Sequence, residues 1–453
     1  MTPIGIVGAG ITGLTAAFYL HREGIPVTVY ESSPRAGGMI QTIRRDGFIA
    51  ERGPNTIIST APQIPALIND LGLLSRCLYP APEMNGQYLV RDGRPVRLPK
   101  SVMDGARTSL LSLRAKLRVL GEPFVPRRIG EDESLSAFVT RRLGGEVLEY
   151  FVDPFVGGIY AGNPDRLSVT YALPKLWALE QRYGSLVKGT ILGACQRKKR
   201  ATVSKASAPK LTFDDGLDVL VEALRSSLGA AVHLESAVSG LMRDEQRWVI
   251  ETQAGGKQQH SAVLLCAPAY SVAGIRMNGG GQRDLGTLRE IHYPPIARVA
   301  AGFRREQVTH PLDGFGVLIS RKEEMNTLGI LFASSLFPNR APEGHVMLTA
   351  YLGGARGAVG GNDAHLVDLA VADMRKLLGV SGSPVFEDVA RIPRSIPQYN
   401  VGYGAVKDAI RRFEAHQPGV FIAANYRDGI SVADCIVNGK AASERVKEYI
   451  GHA

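Results

Sequence analysis

The chain lacks the features that mark several classes of protein. Only four of its 453 residues are cysteine. Cys77, Cys195, Cys266 and Cys435 stand far apart and form no C-x-x-C pair, a spacing that argues against a zinc site or a disulfide framework. The nine histidines make no H-x-x-x-H or H-E-x-x-H pattern. We therefore expect no bound metal.

Long apolar runs are also missing. The mean hydropathy is −0.01, and the uncharged stretch from Ile4 to Leu20 is too short and too rich in glycine to span a bilayer. The first residues show neither a basic segment nor an A-x-A cleavage site. We expect a cytoplasmic protein of two to four domains, peripheral to the cytoplasmic face of a membrane.

The charge is one-sided and unevenly spread. The net charge is +10, and residues 84–204 alone hold 20 Lys or Arg against 11 Asp or Glu. A solvated basic surface explains this, and so does attraction to an anionic membrane surface or to an acidic substrate. Because the segment has no DNA- or RNA-binding motif and few interleaved aromatic residues, we expect no nucleic-acid partner.

Residues 3–31 carry the clearest motif. The pattern predicts a strand, a turn, a helix and a second strand, with G-A-G-I-T-G at the turn. In such a dinucleotide fingerprint, Gly8 makes the tight turn, Gly10 lets the backbone approach a diphosphate, and Gly13 lets the helix pack against the strand. Glu31 ends the second strand, where its carboxylate accepts hydrogen bonds from ribose hydroxyls and disfavours a 2′-phosphate.

The residues after Glu31 distinguish between cofactors. The run SSPRAGGMIQT places Gly37 and Gly38 six and seven residues on, and ERGPNT follows at 51–56. Together these segments look like the extended fingerprint of flavoenzymes in the amine oxidase superfamily. The resemblance implies FAD rather than NAD as the cofactor. An ordinary loop also explains ERGPNT by itself.

The rest of the chain alternates between element types. Helical spacing with basic faces dominates 84–204, with Ser134 as a candidate N-cap, and the polar run at 193–210 predicts a loop or linker. Residues 211–270 return to an α/β pattern, and 291–399 are rich in short strands typical of an antiparallel sheet. The last helix begins near Gly429 and Ile430, where a partial positive charge suits a reduced flavin. Without a ligand, the same residues simply form a closing βα unit.

These pieces together resemble the FAD-dependent protoporphyrinogen oxidase family, which includes the coproporphyrinogen oxidases. The similarity runs nearly end to end, and its most specific block is DPFVGGIYAGNP followed by LPKLWALE and GSL. The resemblance implies an α/β fold with a Rossmann-like FAD-binding domain, an interleaved substrate domain on a mostly antiparallel sheet, and a helical membrane-docking region. We place the FAD domain at 1–83, 205–290 and 400–453, the helical basic region at 84–204, and the substrate domain at 291–399.

The resemblance also implies site residues. The substrate would lie between Leu318 and Leu331 on one side and Tyr351 on the other, with Gly158 and Ala161 close to the cofactor or the ring. Each aliphatic residue taken alone is better explained as ordinary core. The implied substrate contacts are Gln87, Arg91, Gly158, Ala161, Leu318, Leu331 and Tyr351. The implied cofactor contacts are Gly8, Ala9, Gly10, Ile11, Thr12, Gly13, Glu31, Ser32, Gly38, Met39, Gly53, Pro54, Asn55, Thr56, Val238, Asn425, Ile430, Ser431 and Val432.

The sequence departs from the family pattern at three positions. Gln87 stands where relatives carry an arginine that pairs a substrate propionate, and Arg91 or Arg97 on the same stretch are candidates to replace it. Tyr351 stands where relatives often carry Phe, and Ala424 replaces a Gly. An amide hydrogen-bonds a carboxylate but brings no charge, so the departure at Gln87 puts propionate recognition in question.

The function implied is the oxidation of protoporphyrinogen IX to protoporphyrin IX in heme biosynthesis. Three rounds of O2 reduction give three H2O2, and the flavin carries the chemistry, so no catalytic side chain is expected. Coproporphyrinogen III oxidation is the alternative, with an amine oxidase or a carotenoid desaturase more distant. A non-catalytic flavin-fold escort protein is the alternative of another class. Expected partners are the porphyrinogen, O2 and an anionic membrane surface, with a homodimer left open.

Overall fold

A computed structural model of the chain describes residues 2–99, 102–130, 132–192, 208–278 and 282–452. The cysteine at position 195 and most of the predicted loop at 193–210 lie outside the described residues. Within them the chain forms a mixed α/β fold with two large sheets and three small ones. In this part of the chain we find no helix that combines the length and the hydropathy needed for a transmembrane span.

The first large sheet is a five-stranded parallel sheet. Its strands lie in the spatial order Val232–His233, Val27–Tyr30, Ile4–Val7, Val263–Leu265 and Val420–Ile422. Every neighbouring pair is parallel, and apolar side chains on both faces fit a parallel sheet covered by helices. Helices Ile11–Arg22, Asp218–Leu228 and Val432–His452 share one apolar core with it. The predicted strand, turn, helix and strand at residues 3–31 is confirmed.

The second large sheet is mixed and has seven strands. Its spatial order is Phe386–Ile392, Ile296–Arg304, His345–Gly353, Thr327–Leu331, Gly316–Leu318, Gln87–Arg91 and Arg94–Arg97. All neighbours are antiparallel except Gly316–Leu318 with Gln87–Arg91, which are parallel. Helix Asp363–Leu378 covers one face through a continuous apolar core. We call the opposite face the distal face.

Three smaller sheets complete the strand inventory. One contains Lys257–His260, Arg247–Thr252, Val238–Asp244 and Arg276–Met277; the second is the hairpin Thr42–Arg45 with Phe48–Glu51; the third contains Ile57–Ile58, Lys210–Phe213 and Cys77–Leu78.

The remaining helices are mostly short. The α-helices are Gln63–Asp70, Val102–Arg107, Leu113–Leu120, Leu135–Leu143, Gly145–Val147, Asp153–Tyr160, Val169–Ala172, Pro174–Tyr183, 186–192, Ala269–Val272, Gln282–Thr287, Ala333–Leu336, Gly404–His416 and Asn425–Asp428. A π-helical turn spans Leu148–Val152, and 3₁₀ turns span Leu74–Arg76, Pro82–Asn85, Glu122–Phe124, Gly229–Ala231, Leu288–Glu290, Arg305–Gln307, Arg321–Glu323 and Gly354–Arg356.

The stretch that we predicted as one helical region, 84–204, begins differently. Strands Gln87–Arg91 and Arg94–Arg97 form the edge of the seven-stranded sheet, because alternating apolar residues and a tight turn favour a hairpin there. Helices follow from residue 102 onward. Ser134 caps its helix as predicted, with its Oγ accepting a hydrogen bond from the Ala137 amide at 3.2 Å.

Candidate active site

The glycine-rich turn between the first strand and helix leaves an unfilled space at one position. Gly8 has φ +104°, and a Cβ on Gly13 would clash with the carbonyl oxygen of Gly8. These two glycines are therefore required by the fold itself. Gly10 has an ordinary extended conformation, and a Cβ placed on it would meet no atom within 4 Å.

Helix Ile11–Arg22 begins beside this space. Its N-cap is Gly10, which has no side chain to accept hydrogen bonds from the first-turn amides. Those amides and the helix dipole favour an anionic group at this end. An open approach at Gly10 together with uncapped amides fits the diphosphate of a dinucleotide.

Glu31 lies at the carboxyl end of the second strand, next to the turn. Its Oε2 accepts a hydrogen bond from the Ala9 amide at 2.8 Å. Its Oε1 accepts three more, from the Ser33 amide at 2.9 Å, the Ser33 hydroxyl at 2.8 Å and the Ser32 hydroxyl at 3.3 Å. A carboxylate offers about four acceptor positions, so the remaining capacity for a ribose hydroxyl lies on Oε2.

Two later segments converge on the same turn. The Gly37 amide donates to the carbonyl of Ala9 at 2.8 Å, and a Cβ on Gly38 would lie 3.3 Å from the Gly10 Cα. A Cβ on Gly53 would clash with the carbonyl of Met39. The structure thus brings together the segments 8–13, 37–39 and 53–56 that the sequence separates.

The last helix begins beside them. Ser431 and Asp434 form a reciprocal cap in which the Ser431 hydroxyl donates to the Asp434 carboxylate at 2.6 Å and accepts from the Asp434 amide at 3.1 Å. The carboxylate partly balances the positive charge that we expected at this helix start. Val238 and Ile430 pack in one apolar cluster, and Asn425 accepts a hydrogen bond from the Tyr399 hydroxyl through its carbonyl.

The three residues expected around the substrate share one sheet face. Strand pairing aligns Leu318 and Tyr351 with Gly329, and Leu331 lies two residues further on the same strand as Gly329. Because side chains alternate across a strand, Leu318, Leu331 and Tyr351 all project from the distal face. Our expectation that Tyr351 lies across the substrate from the two leucines is therefore wrong, because the sheet register makes one wall of all three.

Helix Asp153–Tyr160 packs against the Leu318 end of this wall. A Cβ on Gly158 would clash with the Leu318 side chain, so glycine permits the close approach. Ala161 ends the helix in the left-handed conformation, with φ 49°, and its carbonyl accepts from the Ala355 amide at 2.8 Å. Gly158 thus lies against the wall, whereas Ala161 contacts the chain that follows the Tyr351 strand.

Gln87 and the two nearby arginines already have protein partners. The Gln87 Nε2 donates to the Gly316 carbonyl at 3.1 Å. Arg91 donates to Glu146 at 2.8 Å and stacks over Tyr150, while Arg97 pairs with Asp313 at 3.1 Å. Arg91 and Arg97 therefore tie the sheet edge to neighbouring loops and helices, and their guanidinium groups are engaged within the protein.

A charged group that we did not predict from the sequence lies on the distal face. Arg298 is fully buried and donates to Asp388, which also accepts from Arg52 at 2.7 Å. Arg298 lies directly opposite Tyr351 across the strand pair. The Tyr351 hydroxyl accepts a hydrogen bond from the Asn55 amide group. The sequence offered one signal for this buried charge, a single arginine inside the otherwise apolar run ARVAAGF.

A small cavity lies between the distal face and the hairpin Thr42–Arg45/Phe48–Glu51. Its lining comprises Ile49, Glu51, Asn55, Leu331, Ala333, Leu336, Phe337, Arg340 and Met347. Burial raises the pKa of Glu51 to about 7, although a hydrogen bond from Thr42 and the charge of Arg340 act in the opposite direction. The cavity joins the Asn55 segment to the wall that carries Leu331.

Comparison with known proteins gives consistent matches. The family described as flavin containing amine oxidoreductase matches residues 11–447. The chain is 34% identical to protoporphyrinogen oxidase 2, chloroplastic/mitochondrial, of Arabidopsis thaliana, over 99% of this chain and 94% of that protein. It is 30% identical to coproporphyrinogen III oxidase of Bacillus subtilis (strain 168), over 98% of each.

A solved structure agrees with these matches. The crystal structure of a protein from Exiguobacterium sp. 255-15, assigned as a protoporphyrinogen oxidase, superposes with a TM-score of 0.82 over 99% of both chains at 27% identity. The dinucleotide cradle at Gly10 and Glu31 suits the cofactor of such proteins. The chain belongs to the flavin-containing amine oxidoreductase family, and its cofactor is FAD.

Proposed function

We propose that the protein oxidises protoporphyrinogen IX to protoporphyrin IX, with FAD as cofactor and O2 as electron acceptor. The supporting observation is a similarity of 34% to a protoporphyrinogen oxidase that extends over 99% of this chain. An apolar wall of Leu318, Leu331 and Tyr351 suits a large apolar macrocycle. Oxidation of coproporphyrinogen III is the second candidate, because the match to the Bacillus enzyme is also full-length.

We propose that FAD occupies the cradle formed by the segments 8–13, 37–39, 53–56 and 430–432, with Glu31 at the ribose and Val238 and Asn425 beside it. When bound, FAD supplies a two-electron oxidation in which a hydride leaves a methylene bridge, a pyrrole N–H loses its proton, and O2 is reduced to H2O2. Three rounds remove six electrons and six protons from the porphyrinogen.

The protein's task is to hold the ring and exclude water. Leu318, Leu331 and Tyr351 bury one face of the ring, and Asn55 fixes the Tyr351 hydroxyl. Burial opposes ionisation of Asp388, but its contacts with Arg52 and Arg298 outweigh this and hold its pKa below the ordinary value. Asp388 is therefore a weak proton acceptor, which suits a reaction driven by the aromaticity of its product.

Anaerobic reduction of the bound flavin tests the proposed function. Mixing the oxidised holoenzyme with protoporphyrinogen IX should bleach the visible flavin absorbance, and coproporphyrinogen III in a parallel mixing gives the preference. Faster bleaching by coproporphyrinogen would favour the second candidate. If neither porphyrinogen bleaches the flavin of the FAD-loaded protein, both candidate oxidations are excluded and the non-catalytic alternative remains.

The Gln87→Arg substitution tests where a propionate binds. We expect the KM for protoporphyrinogen to fall roughly ten-fold with little change in kcat, since a charge-assisted hydrogen bond contributes about 1.5–3 kcal/mol. The propionate lies far from the reacting carbon, so ground and transition states gain alike. Steady-state kinetics measure this.

Two controls accompany Gln87→Arg. Arg91→Ala should leave KM unchanged, because Arg91 is paired with Glu146. An unchanged KM in Gln87→Arg together with a sharp rise in Arg91→Ala would move the contact to Arg91. If neither substitution changes KM, the propionate is solvated and position 87 lies outside the pocket.

We also propose that part of the region 102–192 docks on an anionic membrane surface. Helix Leu113–Leu120 exposes Leu113, Leu117 and Leu120 along one side, at 72%, 60% and 72% of their surface, and Phe124 beyond it is 86% exposed. Apolar side chains presented to solvent on a helix that also carries three basic residues and no acidic one fit an interfacial helix.

Cosedimentation with vesicles tests the membrane proposal. Binding to anionic vesicles should exceed binding to neutral ones and should fall as salt rises, because the Debye length is only about 8 Å at 0.15 M. A Leu117→Ser variant should bind less, whereas Leu74→Ser, an exposed leucine outside this region, serves as the matched control. Equal binding to neutral and anionic vesicles would contradict the proposed role of charge.

A further inference from the structure

Arg298 has hydrogen-bonding capacity that the protein does not use. Its side chain is fully buried, and its Nη2 donates to Asp388. No atom among the described residues accepts a hydrogen bond from its Nε or Nη1. Leaving a buried charged donor unsatisfied is costly, so the N–H groups on these two nitrogens point to an acceptor supplied from elsewhere.

The local charge points to an anion. Asp388 is shared by two guanidinium groups, those of Arg298 and Arg52, which leaves the group of three with one excess positive charge. Burial lowers the pKa of Arg298 although Asp388 raises it, which reflects the unfavourable environment of the buried cation. A negatively charged oxygen at Nε and Nη1 relieves this.

The position of Arg298 links the two halves of the candidate active site. It lies directly opposite Tyr351 on the distal face, where facing residues have Cβ atoms about 4.5–5.5 Å apart. Tyr351 accepts from Asn55, and Arg52 immediately precedes the 53–56 segment. Residues 52–55 therefore contact both neighbours of Arg298, because Arg52 pairs with Asp388 and Asn55 with Tyr351. The guanidinium group of Arg298 thus lies close to the 53–56 segment, which we assign to the flavin site.

We propose that Arg298 binds an anionic oxygen at this edge of the active site through its Nε and Nη1 groups. The inference rests on the proposed function for the identity of the ligand. Two sources supply this chemistry: a carboxylate of the porphyrinogen, or the flavin ring, which carries negative charge when reduced. The planar guanidinium fork suits either acceptor better than an ammonium group does.

Two measurements on the FAD-loaded protein separate the sources. One is the dissociation constant of protoporphyrin IX and of its dimethyl ester. The other is the reduction potential of the bound flavin without porphyrin. If the carboxylate is the ligand, Arg298→Gln weakens binding of the diacid ten-fold or more and leaves the ester unchanged. If the flavin is the ligand, Arg298→Gln lowers the reduction potential and leaves porphyrin binding unchanged.

Arg52→Gln is the matched control, since it removes the other guanidinium from Asp388 and leaves the Arg298 donors in place. It should change both quantities less than Arg298→Gln does. Equal effects of the two variants would overturn the proposal, because the change would then come through Asp388. Unchanged binding and potential in a folded, FAD-loaded Arg298→Gln protein would also overturn it, leaving a buried water as the acceptor.

Arg298→Lys keeps the charge but loses the fork, and it provides the test if the glutamine variant does not fold. An intermediate effect on either quantity supports the proposal, and wild-type values contradict it. The potential measurement needs no porphyrin, so failure of the proposed function leaves that result interpretable.

Discussion

Replacing Gly10 with valine should give a folded protein that no longer retains FAD. A Cβ at this position meets no protein atom within 4 Å, and the backbone there is in a conformation that valine adopts readily. The side chain instead fills the space assigned to the diphosphate. Steric overlap of this kind costs about 1–3 kcal/mol, so we expect FAD affinity to fall by up to roughly 100-fold.

The measurement is the FAD content of the purified chain, with circular dichroism and thermal unfolding to verify the fold. Gly145→Val is the matched control. Gly145 also begins a helix and also faces open space, but lies outside the four segments assigned to FAD. That variant should stay yellow. If Gly10→Val retains FAD, the diphosphate does not bind at this turn and our assignment is wrong.

Glu51→Gln should make the protein more stable at pH 8 and flatten the dependence of its stability on pH. Glu51 is buried, and burial raises its pKa from 4.5 to about 7. Between these two pH values the folded chain holds a proton on Glu51 that the unfolded chain has released. The free energy of unfolding therefore falls as pH rises through this window, by about 3 kcal/mol in total.

The amide of glutamine carries no charge and is nearly the same shape as the acid. It retains an acceptor for the Leu217 amide, which now donates to the Glu51 carboxylate at 2.8 Å. Urea unfolding of the FAD-loaded protein at pH 5 and pH 8 measures the effect. Glu448→Gln, on an exposed face of the last helix, should leave the pH dependence of the wild type. Parallel profiles for Glu51→Gln and wild type would contradict the prediction.

Local sequence accounts for individual elements in several parts of the molecule. The order of strand, glycine turn, helix and strand at residues 3–31, the Ser134 cap and the helix Asp363–Leu378 all follow from patterns of a few neighbouring residues. Such patterns are readable because each is set by backbone sterics and by hydrogen bonds within one or two turns.

The composition of the distal face was decided only by tertiary structure. Leu318, Leu331 and Tyr351 form one wall because of strand register, and a shift of a single residue would turn any of them to the other face. Residues 87–97 joined this sheet although their neighbours in sequence are helical. The strand that joins this hairpin to the sheet, Gly316–Leu318, lies more than 200 residues away, beyond the reach of any local pattern.

The sequence by itself determined the cofactor turn, the placement of Glu31 and the family resemblance. Tertiary structure decided which charges meet: Arg298 finds Asp388 across 90 positions of sequence, and Asn55 finds Tyr351 across 296. The physical reason is that burial makes each of these pairings strong, while nothing in the flanking residues encodes the partner. The pairing that leaves two nitrogens of Arg298 without a partner in the part of the chain that the structure describes is therefore visible only in the folded chain.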